Sequence, residues 1–144
     1  MSSIEERFSA ALHGSARNWR LVIDRRLKHL GLSQASWMAI AYVAKQKESM
    51  SQTRLASCVG VEDPTMVATI DRLVKAGYVV RTPSGTDRRV KLVNLTEQGQ
   101  EIYQSVWREA AAVRKELLGK ADAATLAVVT EFLETMLADL ETRI

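Results

Sequence analysis

The chain of 144 residues predicts a mainly α-helical protein carrying one small β-hairpin. Three observations carry that expectation. Apolar residues recur three and four apart over most of the length. Helix starters (Ser, Thr, Asp) and stoppers (Gly) fall between those stripes. One stretch alone, "YVVRTPSGTDRRVKLVNL", breaks the helical period and alternates around a turn-forming Pro-Ser-Gly-Thr-Asp run.

The elements follow in order. The first stripe runs from residue 4 to about 30 through Phe8, Leu12, Trp19, Ile23, Leu27 and Leu30, and Gly31 is its stop. Ser33 caps a second helix, to about residue 47, with Trp37, Ile40, Ala41 and Ala44 along it. The polar stretch "ESMS" ends it, and Ser51 opens a short third helix that closes near Val59. After Gly60, Asp63 as cap and Pro64 at the first helical position start a fourth helix, which ends near Ala76 and Gly77. Two short strands around a tight loop come next. Thr96 then caps a long fifth helix bearing Ile102, Val106, Val113 and Leu117. Gly119 breaks it, and Asp122 caps a last helix with Leu126, Val129, Leu133, Met136, Leu140 and Ile144.

Composition narrows the function classes. At 47% hydrophobic and 26% charged, the chain has an ordinary globular balance. No apolar run approaches the ~20 residues of a membrane span, and the acidic start MSSIEERFSA is unlike a signal peptide, so a cytoplasmic protein with no membrane partner is expected. A lone Cys58 excludes an internal disulfide, and His13 and His29 beside it are too few for a zinc site. No metal or cofactor is expected, and no phosphate-loop, dinucleotide, zinc-protease or nucleophile-elbow motif points to an enzyme. The net charge of +3 is divided unevenly. Residues 1–96 hold 15 Lys/Arg against 8 Asp/Glu, net +7, whereas residues 97–144 hold 5 against 9, net −4. An anionic partner such as nucleic acid would meet the front and middle.

The middle carries the sharpest pattern. Two helices joined by a glycine turn, with Ala56 and Gly60 four apart, suit a helix-turn-helix or any αα corner. A hairpin directly behind the second helix favours the winged variant, in which that helix enters the DNA major groove and the hairpin lies over neighbouring backbone or minor groove. Thr65, Thr69 and Arg72, with Ala68, are expected on its exposed face, and Val67, Ile70, Leu73 and Val74 in the core. Gln52, Arg54, Arg81, Arg88, Arg89 and Lys91 are candidates for phosphate contacts. The plainer reading of Asp87, Arg88 and Arg89 is a solvated hairpin tip with a local ion pair.

Asp87-Arg88-Arg89, five residues, then Leu95-Thr96 and Gly99 match the D-x-R-x-x-x-x-x-L-T signature of the MarR family, and the whole layout resembles that family over essentially the full chain. The segments "NWRLVIDRRLKHLGLSQASW", "VEDPTMVATIDRL" and "GYVVRTPSGTDRRVKLVNLT" are similar to its SlyA-like branch. The resemblance implies a homodimeric transcription regulator with two winged domains on a helical dimerisation region. It implies that Arg89 reaches the minor groove, that Asp87 holds a wing arginine, and that Arg88 reinforces backbone contact. One departure stands out: the branch commonly has arginine in the recognition helix where this chain has Ala68. Alanine offers a base only a methyl contact, which shifts readout to Thr65, Thr69 or Arg72 and to DNA shape.

The division expected is a helical dimerisation region over 1–32 and 97–144 around a winged helix-turn-helix over 33–96. The family's habit of binding small aromatic carboxylates, salicylate for example, makes Arg17, Trp19, Arg20 and Trp37 the candidate ligand residues. Against this, the two indoles suit core positions, and Arg20 suits an ion pair with Asp24. Two alternatives to the DNA reader stay open: a winged protein-interaction module, and a redox-sensing regulator that uses Cys58.

Overall fold

A computed structural model describes residues 1–144. The order is α1 (Ile4–Arg26), a 3-10 turn (Lys28–Leu30), α2 (Gln34–Lys45), β1 (Met50–Ser51), α3 (Gln52–Val59), α4 (Asp63–Lys75), β2 (Val79–Pro83), β3 (Lys91–Leu95), α5 (Glu97–Leu118) and α6 (Ala123–Glu141). The fold class is the expected one, mostly helical with a small antiparallel sheet. No helix is long and apolar enough to cross a membrane.

Local chemistry sets most boundaries. Ser33, Ser51 and Asp122 each accept a backbone N–H three residues on, as helix caps do. Gly60 ends α3 at a φ of 84°, in the left-handed region that an L side chain rarely adopts. At the start of α4 the expectation is off by one residue. Glu62, not Asp63, is the N-cap, with extended backbone and no side-chain cap bond, and Asp63 is already helical. The Met66 N–H donates to the Glu62 carbonyl, so the helical ladder begins one residue earlier.

The sheet has three strands in the order β1-β3-β2, one more than expected. β2 and β3 pair from Val79 opposite Leu95 to Pro83 opposite Lys91. Met50 and Ser51 add a two-residue rung against Val93 and Leu92. Arg89 and Val90 lie in the connecting loop and not in a strand, so the loop is longer than the pattern suggests.

By chain contacts the protein forms two compact units, Met1–Ala111 and Ala112–Ile144. The first holds a core of Ala39, Ile40, Met50, Leu55, Ala56, Met66, Ile70, Leu73, Val79 and Val93. Burying a side chain such as Ile70 or Leu73 contributes roughly 2 kcal/mol each. Within the second unit, α6 buries none of its residues, and Val128, Val129, Phe132, Leu137 and Leu140 are exposed.

On α4 the buried stripe is Met66, Thr69, Ile70 and Leu73. This corrects three assignments: Thr69 is fully buried, whereas Val67 and Val74 are about 40% exposed. Positions i, i+3, i+4 and i+7 make one helix face, and Val67 and Val74 flank it. Thr69 is accommodated because its hydroxyl donates to the Thr65 carbonyl at 2.8 Å.

Candidate nucleic-acid interface

The second helix of the turn motif, α4, keeps Thr65, Ala68 and Arg72 exposed at i, i+3 and i+7. With Thr69 inside, the exposed stripe offers a hydroxyl, a methyl and a guanidinium. Arg72 leans back, its Nη2 donating to Thr69 Oγ1 at 3.3 Å. Lys75, not singled out in the sequence, is exposed on this helix too, as is Val67, which was expected in the core.

The exit from α4 is locked to the hairpin and to α5. Gly77, at a φ of 86°, and Tyr78 close the helix by donating to the carbonyls of Val74 and Leu73. The Thr96 hydroxyl donates to the Gly77 carbonyl at 2.6 Å, and the Thr96 N–H donates to the Tyr78 carbonyl at 3.0 Å. The same hydroxyl accepts the Gly99 N–H at 3.0 Å, capping α5. A Cβ on Gly99 would stand 2.0 Å from the Tyr78 carbonyl oxygen, so only glycine fits there. Thr96 and Gly99 thus fix where α4 ends and the hairpin begins.

At the far end of the hairpin, Asp87 organises the turn. Its Oδ1 accepts the Arg89 N–H at 3.0 Å and Arg89 Nε–H at 3.1 Å, and its Oδ2 accepts from Arg89 Nη2 at 3.1 Å. The guanidinium hydrogen bond, followed by the backbone one, holds the Asp87 carboxyl below the ordinary carboxylate pKa. The Arg89 side chain is 91% exposed even so, held by Asp87 along the Nε–Nη2 edge of its guanidinium. Arg88 and Lys91 are exposed beside it. A cavity of about 220 Å³ lies between Ser51, Gln52 and Thr53 at the start of α3 and Arg89, Val90 and Lys91 of the hairpin.

Two expected phosphate contacts are engaged elsewhere. Arg81 Nη1 pairs with Asp71 at 2.7 Å, its Nη2 donates to the Val67 carbonyl at 3.1 Å, and its Nε donates to Gln52 Oε1 at 2.9 Å. Arg81 and Gln52 are therefore internal ties and not open phosphate ligands. Asp71 is the partner that the sequence reading missed. Arg54 is exposed on α3, beside a cavity lined also by Lys45, Lys47 and Glu48.

The candidate ligand residues divide. Arg17 is exposed on α1, and Trp19 and Arg20 are half-buried. Trp37 is buried, with its indole N–H donated to Asp24 Oδ1 at 3.0 Å, so Asp24 holds the indole. Cys58 is half-buried and packs against the core as a free thiol.

A helix-turn-helix followed by a charged antiparallel hairpin defines a winged-helix protein. The MarR family model matches residues 30–90. A solved transcriptional regulator, PA3341, is 38% identical, with a TM-score of 0.87 over 94% of this chain and 98% of its own. The chain belongs to the MarR family. Two more distant structures share the fold. A MarR transcriptional regulator from Methanosarcina mazei Go1 is 22% identical, with a TM-score of 0.85 over 96% of this chain and 99% of that one. CouR from Rhodococcus jostii RHA1, solved bound to p-coumaroyl-CoA, is 20% identical, with a TM-score of 0.80 over 94% of this chain and 95% of that one.

Proposed function

We propose that this chain is a homodimeric, cytoplasmic transcription regulator that reads a pseudo-palindromic operator. α4 enters the major groove and the hairpin, residues 81–92, enters the adjoining minor groove. The observation that carries this reading is Arg89, held at the hairpin tip by Asp87 yet 91% exposed. An arginine pre-oriented in this way loses little freedom on entering a narrow groove, where the negative potential is strongest. Thr65, Ala68 and Arg72 supply the helix face for base edges, and Arg54, Arg88 and Lys91 supply phosphate contacts. Three phosphates per protomer imply a log affinity falling with log salt at a slope of about −5 for the dimer.

Dimerisation is supported by α6, whose exposed Val128, Phe132, Leu137 and Leu140 make an apolar face that a second copy covers. The SlyA-like assignment rests on the sequence segments quoted above, with Ala68 as the departure. CouR was solved with an aromatic acyl thioester. In this chain Arg17 and Arg20 are the groups for a carboxylate such as salicylate, with Trp19 as the ring surface; Trp37 contributes as wall only.

The deciding experiment selects bound duplexes from a random pool, then measures affinity against salt for the wild type and Arg89→Ala. Steep salt dependence and a weaker variant support the DNA reader. Binding indifferent to salt and to Arg89 would replace it with a protein-interaction module. Calorimetry with salicylate, giving no heat and no loss of DNA binding, would remove the effector reading. DNA binding that changes on Cys58 oxidation, and not in Cys58→Ser, would favour the redox alternative.

A further inference from the structure

We propose that Arg81 is a positioning residue for sequence readout: it fixes the recognition helix against the hairpin so that both meet DNA in one register. The inference rests on the DNA-binding reading above. Arg81 sits mid-strand in β2, opposite Val93. Its guanidinium reaches the Asp71 carboxylate at 2.7 Å, the Val67 carbonyl at 3.1 Å and Gln52 Oε1 at 2.9 Å. Val67 and Asp71 stand one turn apart on α4, and Gln52 is the first residue of α3. One side chain therefore ties both helices of the turn motif to the strand that leads to the wing.

The contact differs in kind from the core beneath it. Met66, Ile70 and Leu73 set how deep α4 lies, but apolar packing is non-directional. The Arg81 fork is directional, three donor atoms aimed at three acceptors, and lysine cannot reproduce that geometry. Its side chain is 26% exposed and that of Asp71 60%, so the clamp sits at the rim between packed core and DNA-facing surface. Asp71 also lies on the helix proposed to meet DNA; paired with Arg81, its charge does not stand alone against the phosphates. Base-edge contacts need side chains placed to within about 0.5 Å. Phosphate contacts carry no sequence information and tolerate more displacement. Loosening the clamp should therefore reduce discrimination and spare general attraction.

The test uses the full chain, the best duplex from the random-pool selection and a scrambled duplex of equal length. Wild-type protein that shows no salt-dependent preference for the selected duplex would overturn the DNA-binding reading itself, and this inference with it. Given that preference, Arg81→Lys keeps the charge and removes the fork. It should weaken selected-duplex binding about tenfold while changing scrambled-duplex binding less than about twofold, at an unchanged salt slope. Asp71→Asn, at a position 60% exposed, should narrow the same ratio and decides the matter if Arg81→Lys folds poorly. A ratio held within about twofold of wild type in the folded variants overturns the inference. So does an equal loss on both duplexes, which marks a structural role alone.

Discussion

The hairpin carries two Asp–Arg pairs that are put to opposite uses. At its base, Arg81 meets an acid ten positions away on another element and is drawn inward, with further bonds to two helices. At its tip, Arg89 meets an acid two positions away, within one turn, and remains 91% exposed. Residue types and ion-pair distances are similar, so the pairing itself does not decide the role. The sequence separation of the partners does. A long-range pair joins elements and consumes the donors, whereas a local pair orders one side chain and leaves its outer edge for a ligand.

The contrast breaks first at the anchor that the base depends on. Gly99→Ala must place a methyl into the Tyr78 carbonyl. We expect a loss of about 2–4 kcal/mol in stability, read by urea unfolding, because the backbone itself has to move. An alanine variant as stable as wild type would mean that the junction of α4, hairpin and α5 is loose. At the tip the effect should be on binding alone. Arg89→Ala should cost about 2 kcal/mol, roughly 30-fold in operator affinity, with the unfolding midpoint unmoved.

A pH titration sharpens the same comparison. The Asp87 carboxyl is held low by Arg89, so its folded pKa lies below the unfolded value of about 3.9. The ordering of the turn is thus fully present above the unfolded value and is lost as pH falls through the lower folded one. Carbon NMR of the Asp87 carboxyl should show the depressed midpoint in wild type and a return toward the ordinary value in Arg89→Ala. A midpoint that does not move would detach Arg89 from Asp87 in solution. The smallest effect concerns α4. Thr69→Val keeps the buried shape and removes a hydroxyl bonded only within the helix and to Arg72. It should cost under about 1 kcal/mol and leave operator affinity within about twofold, whereas Thr65→Ala should lower affinity several-fold in anisotropy titrations.

What was legible in the sequence shares this division between local and distant. Ser33, Ser51, Asp122, Gly31 and Gly60 announce helix ends because each acts on backbone within a few residues. Asp87 and Arg89 were readable for the same reason. The β1 rung was not, since Met50 pairs with Val93 across 43 positions and two residues carry no strand pattern. Nor were the duties of Gln52 and Arg81, 29 positions apart, which charge alone makes resemble phosphate ligands. Thr69 and Val67 changed places because polarity argued one way and helical phase the other, and a hydroxyl able to bond its own helix let phase win.

One further consequence attaches to the tip. Asp87 and Arg89 satisfy each other without help from the core, so the loop that carries them is a cassette whose internal order travels with it. On the DNA-binding reading proposed for this chain, substitutions there change operator preference at little cost to folding while the scaffold stays fixed. A duplicated copy then shifts the wing's share of its preference by exchanging a few loop residues, while the α4 face keeps its own.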